Sequence, residues 1–202
     1  LSKKIVKEYG RADVVFSANV MCHLPNINDV ASGISYLLKE NGVLIFEDPY
    51  LGDVIAKNSF DQIYDEHVFL FSGHSVKNIF SKHGIKLFKM KHLNTHGGSM
   101  RYYLIKKAKY PLSKNIKRHF QKEKLMKLNF KSTYLNFKNK CEKFKKNFKE
   151  ILINLKKQNK IVIGYGATSK STTILNYCSI NDDLIKYIYD ITKIKQNKYT
   201  PG

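Results

Sequence analysis

Asp13-Val14-Val15-Phe16-Ser17-Ala18-Asn19-Val20-Met21-Cys22-His23 is the stretch that decides how the first half of the chain is read. Its first six residues form a short apolar run of the kind that fills a buried parallel strand. Asn19 and His23 follow at once, where an open α/β sheet turns its ligand-facing loops outward from the carboxyl ends of its strands. Downstream, Pro25 interrupts the chain, and Asn28 or Asp29 can cap a helix running to about Lys39, with Val30, Ile34, Leu37 and Leu38 inward. Asn41-Gly42 should stop that helix. Val43-Leu44-Ile45-Phe46-Glu47 then reads as a second buried strand, with Glu47-Asp48-Pro49-Tyr50 placing acidic groups at its end. After a loop, a helix is predicted from about Ser75 to Lys82, closed by His83-Gly84. Ile85–Met90 and Met100–Ile105 are strands joined by the turn Asn94–Ser99, too close in sequence to be anything but antiparallel.

Beyond Pro111 the pattern changes. Residues 113–158 carry no Gly or Pro, and Phe120, Leu125, Leu128, Tyr134, Phe137, Phe144, Phe148, Ile151 and Leu155 recur at helical spacing under lysine cover. The spacing predicts two helices broken near Lys131-Ser132. Ile161-Val162-Ile163 opens a strand, Gly164–Ala167 a turn, Thr168–Cys178 a helix and Leu184–Tyr189 a further strand, a βαβ unit. The expected architecture is therefore α/β in three segments. Residues 1–108 form a first sheet domain, 109–160 a lysine-rich helical linker, and 161–202 the start of a second α/β domain.

Composition narrows the function classes. The 202 residues hold 36 Lys and Arg against 16 Asp and Glu, a formal charge of +20. That charge is local: residues 105–160 carry 19 basic and 3 acidic side chains. Only Arg11, Arg101 and Arg118 are arginines, and lysine alone makes a poor bidentate reader of bases or phosphates. The segment thus reads as a solvated helical face, and no nucleic-acid partner is expected. No run approaches the ~20 apolar residues of a membrane span and no signal peptide opens the sequence. Cys22, Cys141 and Cys178 show no paired spacing, and His67 and His74 none of a metal motif. No metal centre or disulfide framework is predicted, and a reducing cytoplasm suits the cysteines.

Four clusters carry candidate chemistry. Asn19 and His23 follow the first strand. Tyr64-Asp65-Glu66-His67 is the densest ionisable group: His67 can exchange protons near neutral pH, Asp65 or Glu66 can orient it, and Tyr64 can donate to a substrate oxygen. This suits removal of a proton beside a carbonyl, with donors for the enolate oxygen. His96-Gly97-Gly98-Ser99-Met100-Arg101 sets two glycines in the hairpin turn and Ser99 and Arg101 on one strand face, an arrangement for a sugar or phosphate oxygen as well as for a plain turn. Gly164-Tyr165-Gly166-Ala167-Thr168-Ser169-Lys170-Ser171 joins strand to helix. Ser169 stands where both a dinucleotide fingerprint and a P-loop need glycine, so neither motif is met. A helix N-terminus with hydroxyls and Lys170 remains, chemistry that suits a phosphate or pyrophosphate.

Taken in order, Ala18-Asn19-Val20-Met21-Cys22-His23-Leu24-Pro25-Asn26, Tyr64–His67, His96–Arg101, Gly164–Lys170 and Lys195-Gln196-Asn197-Lys198-Tyr199-Thr200-Pro201-Gly202 resemble the S-adenosylmethionine-dependent sugar C-methyltransferases. The resemblance implies a partial class I methyltransferase (Rossmann-like) sheet, then the start of a Rossmann-like C-terminal domain, with a nucleotide-linked keto-deoxysugar as substrate. It implies His67 as general base, with Tyr64 and Glu66 positioning sugar and base. Asn19, His23, Gly97, Gly98, Ser99, Arg101, Gly164, Gly166, Ala167, Ser169 and Lys170 would bind substrate, and Ala18 and Asn19 would meet the cofactor. It further implies that a zinc domain and the glycine-rich cofactor turn lie before Leu1, so that this chain alone binds S-adenosylmethionine weakly. Asp65 stands where many members carry histidine. A non-catalytic nucleotide- or coenzyme-binding module is the alternative reading of the same residues.

Overall fold

The computed structural model describes residues 1–107 and 111–201, which divide into two compact units. The expected boundary at 108/109 and the terminal Gly202 lie outside the described residues. The first unit comprises residues 1–57 and 66–133, and the second residues 58–65 and 134–201. The first of the expected helices falls in the first unit, and all but the opening turn of the second falls in the second unit. Among the described residues no helix is long and apolar enough to cross a membrane.

The first unit opens with α1 (Ser2–Tyr9), β1 (Ala12–Ala18), a single 3-10 turn at Met21–His23, α2 (Ile27–Leu37), β2 (Leu38–Pro49) and α3 (Leu51–Lys57). It continues with α4 (Gly73–Ser81), β3 (Ile85–Leu93), β4 (Ser99–Lys106) and α5 (Lys114–Leu125). The sheet order is β1-β2-β4-β3, with β1 parallel to β2 and the other pairs antiparallel. The β3–β4 hairpin is as its spacing predicted.

One expectation is corrected. Asn41-Gly42 does not end α2, which stops at Leu37; it lies within β2, where the β1 register jumps from Ala12↔Leu38 to Val14↔Val43. The extra residues are accommodated as a bulge, which glycine tolerates. β1 stands at the edge of the described sheet, and its Val14 and Phe16 are 56% and 62% exposed. A short apolar run looks the same in sequence whether a neighbouring strand covers it or not. α1 and α3 were also not anticipated, both being only two turns long.

The core explains the register. α2 buries Ile27, Ala31 and Ile34, spaced for one helical face, against Leu44 and Phe46 of β2 and Met100, Tyr102 and Leu104 of β4. Phe46 lies opposite Tyr102 across the β2–β4 pair, with ring centroids 4.8 Å apart, and also meets Phe71 and Phe80. A one-residue slip would turn these rings outward, so the aromatic cluster holds the sheet in register.

Glu123 fastens α5 onto this core. It is 1% exposed, and its Oε1 accepts from the Gly73 N–H at 2.6 Å and the Tyr50 hydroxyl at 3.2 Å. Its Oε2 takes the His74 N–H at 3.1 Å and pairs with the His74 Nδ1 at 2.6 Å. A buried carboxylate thus meets the first N–H groups of α4, where unpaired donors and the helix dipole favour negative charge. Ser72 and Ser75 close the same helix start with a reciprocal capping box.

The second unit contains most of α6 (Lys131–Lys157), β5 (Ile163–Tyr165), α7 (Ser169–Cys178) and β6 (Tyr187–Tyr189). The break before α6 covers residues 126–130, close to the predicted Lys131-Ser132. β5 and β6 pair in parallel, as a βαβ unit requires. The unit's core is small: Phe60, Cys141 and Cys178, with Phe137, Phe148, Ile174, Tyr177 and Ile180 around them. The Tyr177 hydroxyl donates to Glu142 at 2.8 Å, so this ring packs while its polar end stays satisfied.

Candidate active site

The carboxyl ends of β1 and β2 carry the first unit's chemistry. Asn19 sits at φ 54°, a left-handed conformation that asparagine accepts readily, and its N–H donates to the Glu47 carbonyl at 2.7 Å. This turn ends β1 and leads into the 3-10 turn bearing Cys22 and His23. Ala18 and Asn19 are exposed. The Phe69 N–H donates to the Cys22 carbonyl at 3.1 Å and ties the distant 66–69 segment to that turn.

The two imidazoles expected to matter therefore meet. His23 and His67 have ring centroids 5.0 Å apart at 54°, and both rings are half-buried. His23 Nδ1 lies 2.7 Å from the Glu66 carbonyl oxygen. A carbonyl can only accept, so Nδ1 carries the proton and the lone pair of the neutral ring falls on Nε2. Glu66 therefore orients an imidazole through its backbone, and the imidazole is His23; the Glu66 side chain is exposed. Tyr64 and Asp65 belong to the second unit, Tyr64 half-buried and Asp65 exposed.

Beneath the pair lies a feature that sequence reasoning placed at the mouth of the site. Asp48 is fully buried, and neither carboxylate oxygen has a partner in hydrogen-bond geometry among the described residues. Burial pushes its carboxyl up from 3.8 to about 6, against the opposing influence of Cys22 and His23. Burial and the neighbouring Asp48 likewise hold the Cys22 thiol well above its ordinary value. Since the native carboxyl binds its proton more tightly than the unfolded one, its contribution to stability is fully present below pH 3.8 and lost as pH rises through about 6. Asp48→Asn removes that dependence. Relative to the parent, the variant should gain on the order of 2–3 kcal/mol between about pH 4 and about pH 7.5. Urea unfolding at the two pH values measures it, and an equal offset at both would show an ordinary carboxyl.

The hairpin cluster is committed internally. Ser99 is fully buried and its hydroxyl donates to the Thr95 carbonyl at 3.2 Å. Arg101 donates to one oxygen of Glu47, from Nε at 3.0 Å and Nη2 at 2.8 Å. Gly98 is at φ 135°, where a Cβ would run into the Asp53 carboxylate, and the Gly97 carbonyl accepts from Lys57. Asp53 is itself held by His92 at 2.5 Å. Ser99 and Arg101 are thus both engaged within the hairpin, and the two glycines serve the turn.

In the second unit the Gly164–Lys170 turn is likewise largely occupied. The Gly166 N–H donates to the Tyr189 carbonyl at 2.7 Å and the Ala167 N–H to Asp190 at 2.8 Å. Thr168 and Ser171 bind each other's N–H groups in a capping box. Thr192, through its N–H and its side chain, and then the Ala167 N–H draw the Asp190 carboxyl down to about 2. A carboxylate that accepts from the turn's own amide stands where a phosphate cradle would need open donors. Sequence reading overlooked Asp190, although its place directly after β6 was visible.

Comparison with known proteins adds what the geometry alone lacks. A family model described as the C-methyltransferase C-terminal domain matches residues 94–202, more than half of the chain. The chain belongs to this C-methyltransferase family. A second model, described as a methyltransferase domain, matches residues 2–89 of the C-methyltransferase chain. The C-methyltransferase NovU of Streptomyces niveus is 28% identical over 203 aligned residues, which take in 100% of this chain and 48% of that protein. The chain thus spans about half the length of the curated relative it matches. Among solved structures, a magnesium protoporphyrin IX methyltransferase from Synechocystis PCC 6803 with bound SAH aligns at 16% identity and a TM-score of 0.38, over 48% of this chain and 45% of that one. A putative O-methyltransferase from Nostoc punctiforme PCC 73102 aligns at 15% and 0.36, over 48% and 32%.

Proposed function

We propose that this protein is an S-adenosylmethionine-dependent C-methyltransferase acting on a nucleotide-linked keto-deoxysugar, with His67 removing a proton from the carbon beside the ketone. One observation carries the reading: in a chain of this family, His23 and His67 converge at the carboxyl ends of β1 and β2, 5.0 Å apart, although 44 positions separate them. S-adenosylmethionine supplies, when bound, an electrophilic methyl group on a positively charged sulfur. The buried carboxyl of Asp48, which has no partner in hydrogen-bond geometry among the described residues, fits a site that receives a cation, and Ala18 and Asn19 at the end of β1 are the residues assigned to hold it.

In this reading His67 takes the proton and the resulting carbanion is shared with the ketone oxygen as an enolate. His23, its tautomer set by the Glu66 carbonyl, lines the same pocket with Nε2 as a hydrogen-bond acceptor. Tyr64 donates to a sugar oxygen. Ser169 and Lys170, at the start of α7, are the members of the Gly164–Lys170 segment assigned to the nucleotide, since the N–H groups of Gly166 and Ala167 already have internal partners.

Solvent exchange tests the proposal without requiring methyl transfer. With a keto nucleotide-deoxysugar in heavy water, the protein should introduce deuterium at the carbon beside the ketone, and adding labelled S-adenosylmethionine should place the methyl group on that same carbon. Methylation on oxygen, or exchange no faster than in buffer, would refute the assignment.

A further inference from the structure

We propose that Cys22, His23 and His67 form a binding site for a zinc-class divalent cation, and that its occupation takes the two imidazoles out of use. The ligand atoms of the three side chains all lie within 4.8 Å of one another. A tetrahedral zinc ion, with bonds of ~2.3 Å to sulfur and ~2.0–2.1 Å to nitrogen, sets its ligand atoms roughly 3.3–3.7 Å apart. Closing the cluster around an ion therefore takes movements on the order of 1 Å, which two half-buried imidazoles can supply by side-chain rotation. The thiol is fixed in the buried wall of the 3-10 turn while both rings reach solvent, so an ion has a way in.

Two independent features support the site. His23 already gives its Nδ1–H to a backbone carbonyl, the outer partner that holds metal-binding histidines in orientation and leaves Nε2 as the ligand. Below the cluster, the fully buried Asp48 side chain lies beside Cys22 with neither oxygen in hydrogen-bond geometry among the described residues. A thiolate with two imidazoles selects zinc, or cobalt as its spectroscopic substitute, over magnesium or calcium, which want oxygen ligands. On binding, the Cys22 thiol proton is released to solvent as the sulfur–metal bond forms, and water completes the fourth position.

The cation site stands on geometry alone; only its inhibitory consequence rests on the proposed function. Cobalt(II) titrated into the intact chain should give thiolate-to-metal charge-transfer absorption and the strong visible bands of a tetrahedral ion. These should saturate at one equivalent and be displaced by zinc. Cys22→Ser should abolish the charge-transfer band, with Cys22→Ala as the second variant if the serine form is unfolded by circular dichroism. His67→Ala should weaken binding about 100-fold or more, since losing an outer partner alone costs ~10–100-fold. Cys141→Ser and Cys178→Ser should leave the spectrum unchanged. No band in the parent chain, or the same band in the Cys22 variants, would overturn the site. Zinc that binds as described while deuterium exchange never depended on His67 would instead leave the site standing and remove the proposed function.

Discussion

His67→Ala is expected to lower methyl transfer by about 100- to 10,000-fold, the range that a positioned general base contributes. Proton removal beside the ketone should fall by the same factor, because in this reading it generates the carbanion that accepts the methyl group. The fold should survive. His67 lies half-buried in the segment between α3 and α4, outside any helix or strand, so the stability change should stay within about 1 kcal/mol. The measurement is solvent deuterium exchange and methyl transfer for parent and variant, with unfolding midpoints as control. Loss of exchange alongside loss of structure would point to a packing role. Loss of exchange with the midpoint intact identifies the base. His23→Gln should cost less, since its Nδ1–H is engaged with Glu66 and its contribution is to line the pocket.

The largest stability effect should come from Glu123. Truncation to alanine deprives the Gly73 and His74 N–H groups and the Tyr50 hydroxyl of their acceptor inside a site that is 1% exposed. Removing one partner from such a buried charged network costs ~3–5 kcal/mol, because the desolvated donors are left without compensation. For a unit of this size the unfolding midpoint should drop by roughly 10–15 °C. Glu123→Gln should fall between alanine and parent: its carbonyl can still accept, but its NH₂ group confronts donors. Calorimetry of the three proteins gives the order. An alanine variant within about 1 kcal/mol of the parent would mean that water replaces the carboxylate. A shared retreat of Tyr50 is also expected, since burial and Glu123 together hold its hydroxyl far above the ordinary tyrosine range.

The two effects differ in origin. Glu123 is the only acidic residue between Glu66 and Glu142, in a helix otherwise covered with lysine. That isolation was a visible signal: a lone acid surviving in a basic segment has a partner worth keeping. What it could not reveal is the partner, since α4 begins 50 residues earlier. Asp48 is the reverse case. Its position after a buried strand suggested a ligand-facing acid, whereas the chain turns it inward, and Glu47 beside it pairs with Arg101. Neighbouring residues on a strand face opposite sides, so one acid of such a pair must point into the protein unless the strand ends between them.

Local chemistry was enough for most of the secondary structure. The β3–β4 hairpin, the interruption before α6 and the β5–α7–β6 order follow from turn residues, apolar period and connection length, all of which act over a few positions. Family membership was legible for a related reason: ordered short motifs are properties of the chain itself. Tertiary contacts decided the rest. They drew Asn41-Gly42 into β2 and filled the Gly164–Lys170 turn with Asp190 from the far end of the βαβ unit. They also brought Cys22 and His23 against His67, a meeting that no local spacing encodes, because burial of Phe46, Phe71 and Tyr102 in one core sets where the two segments run.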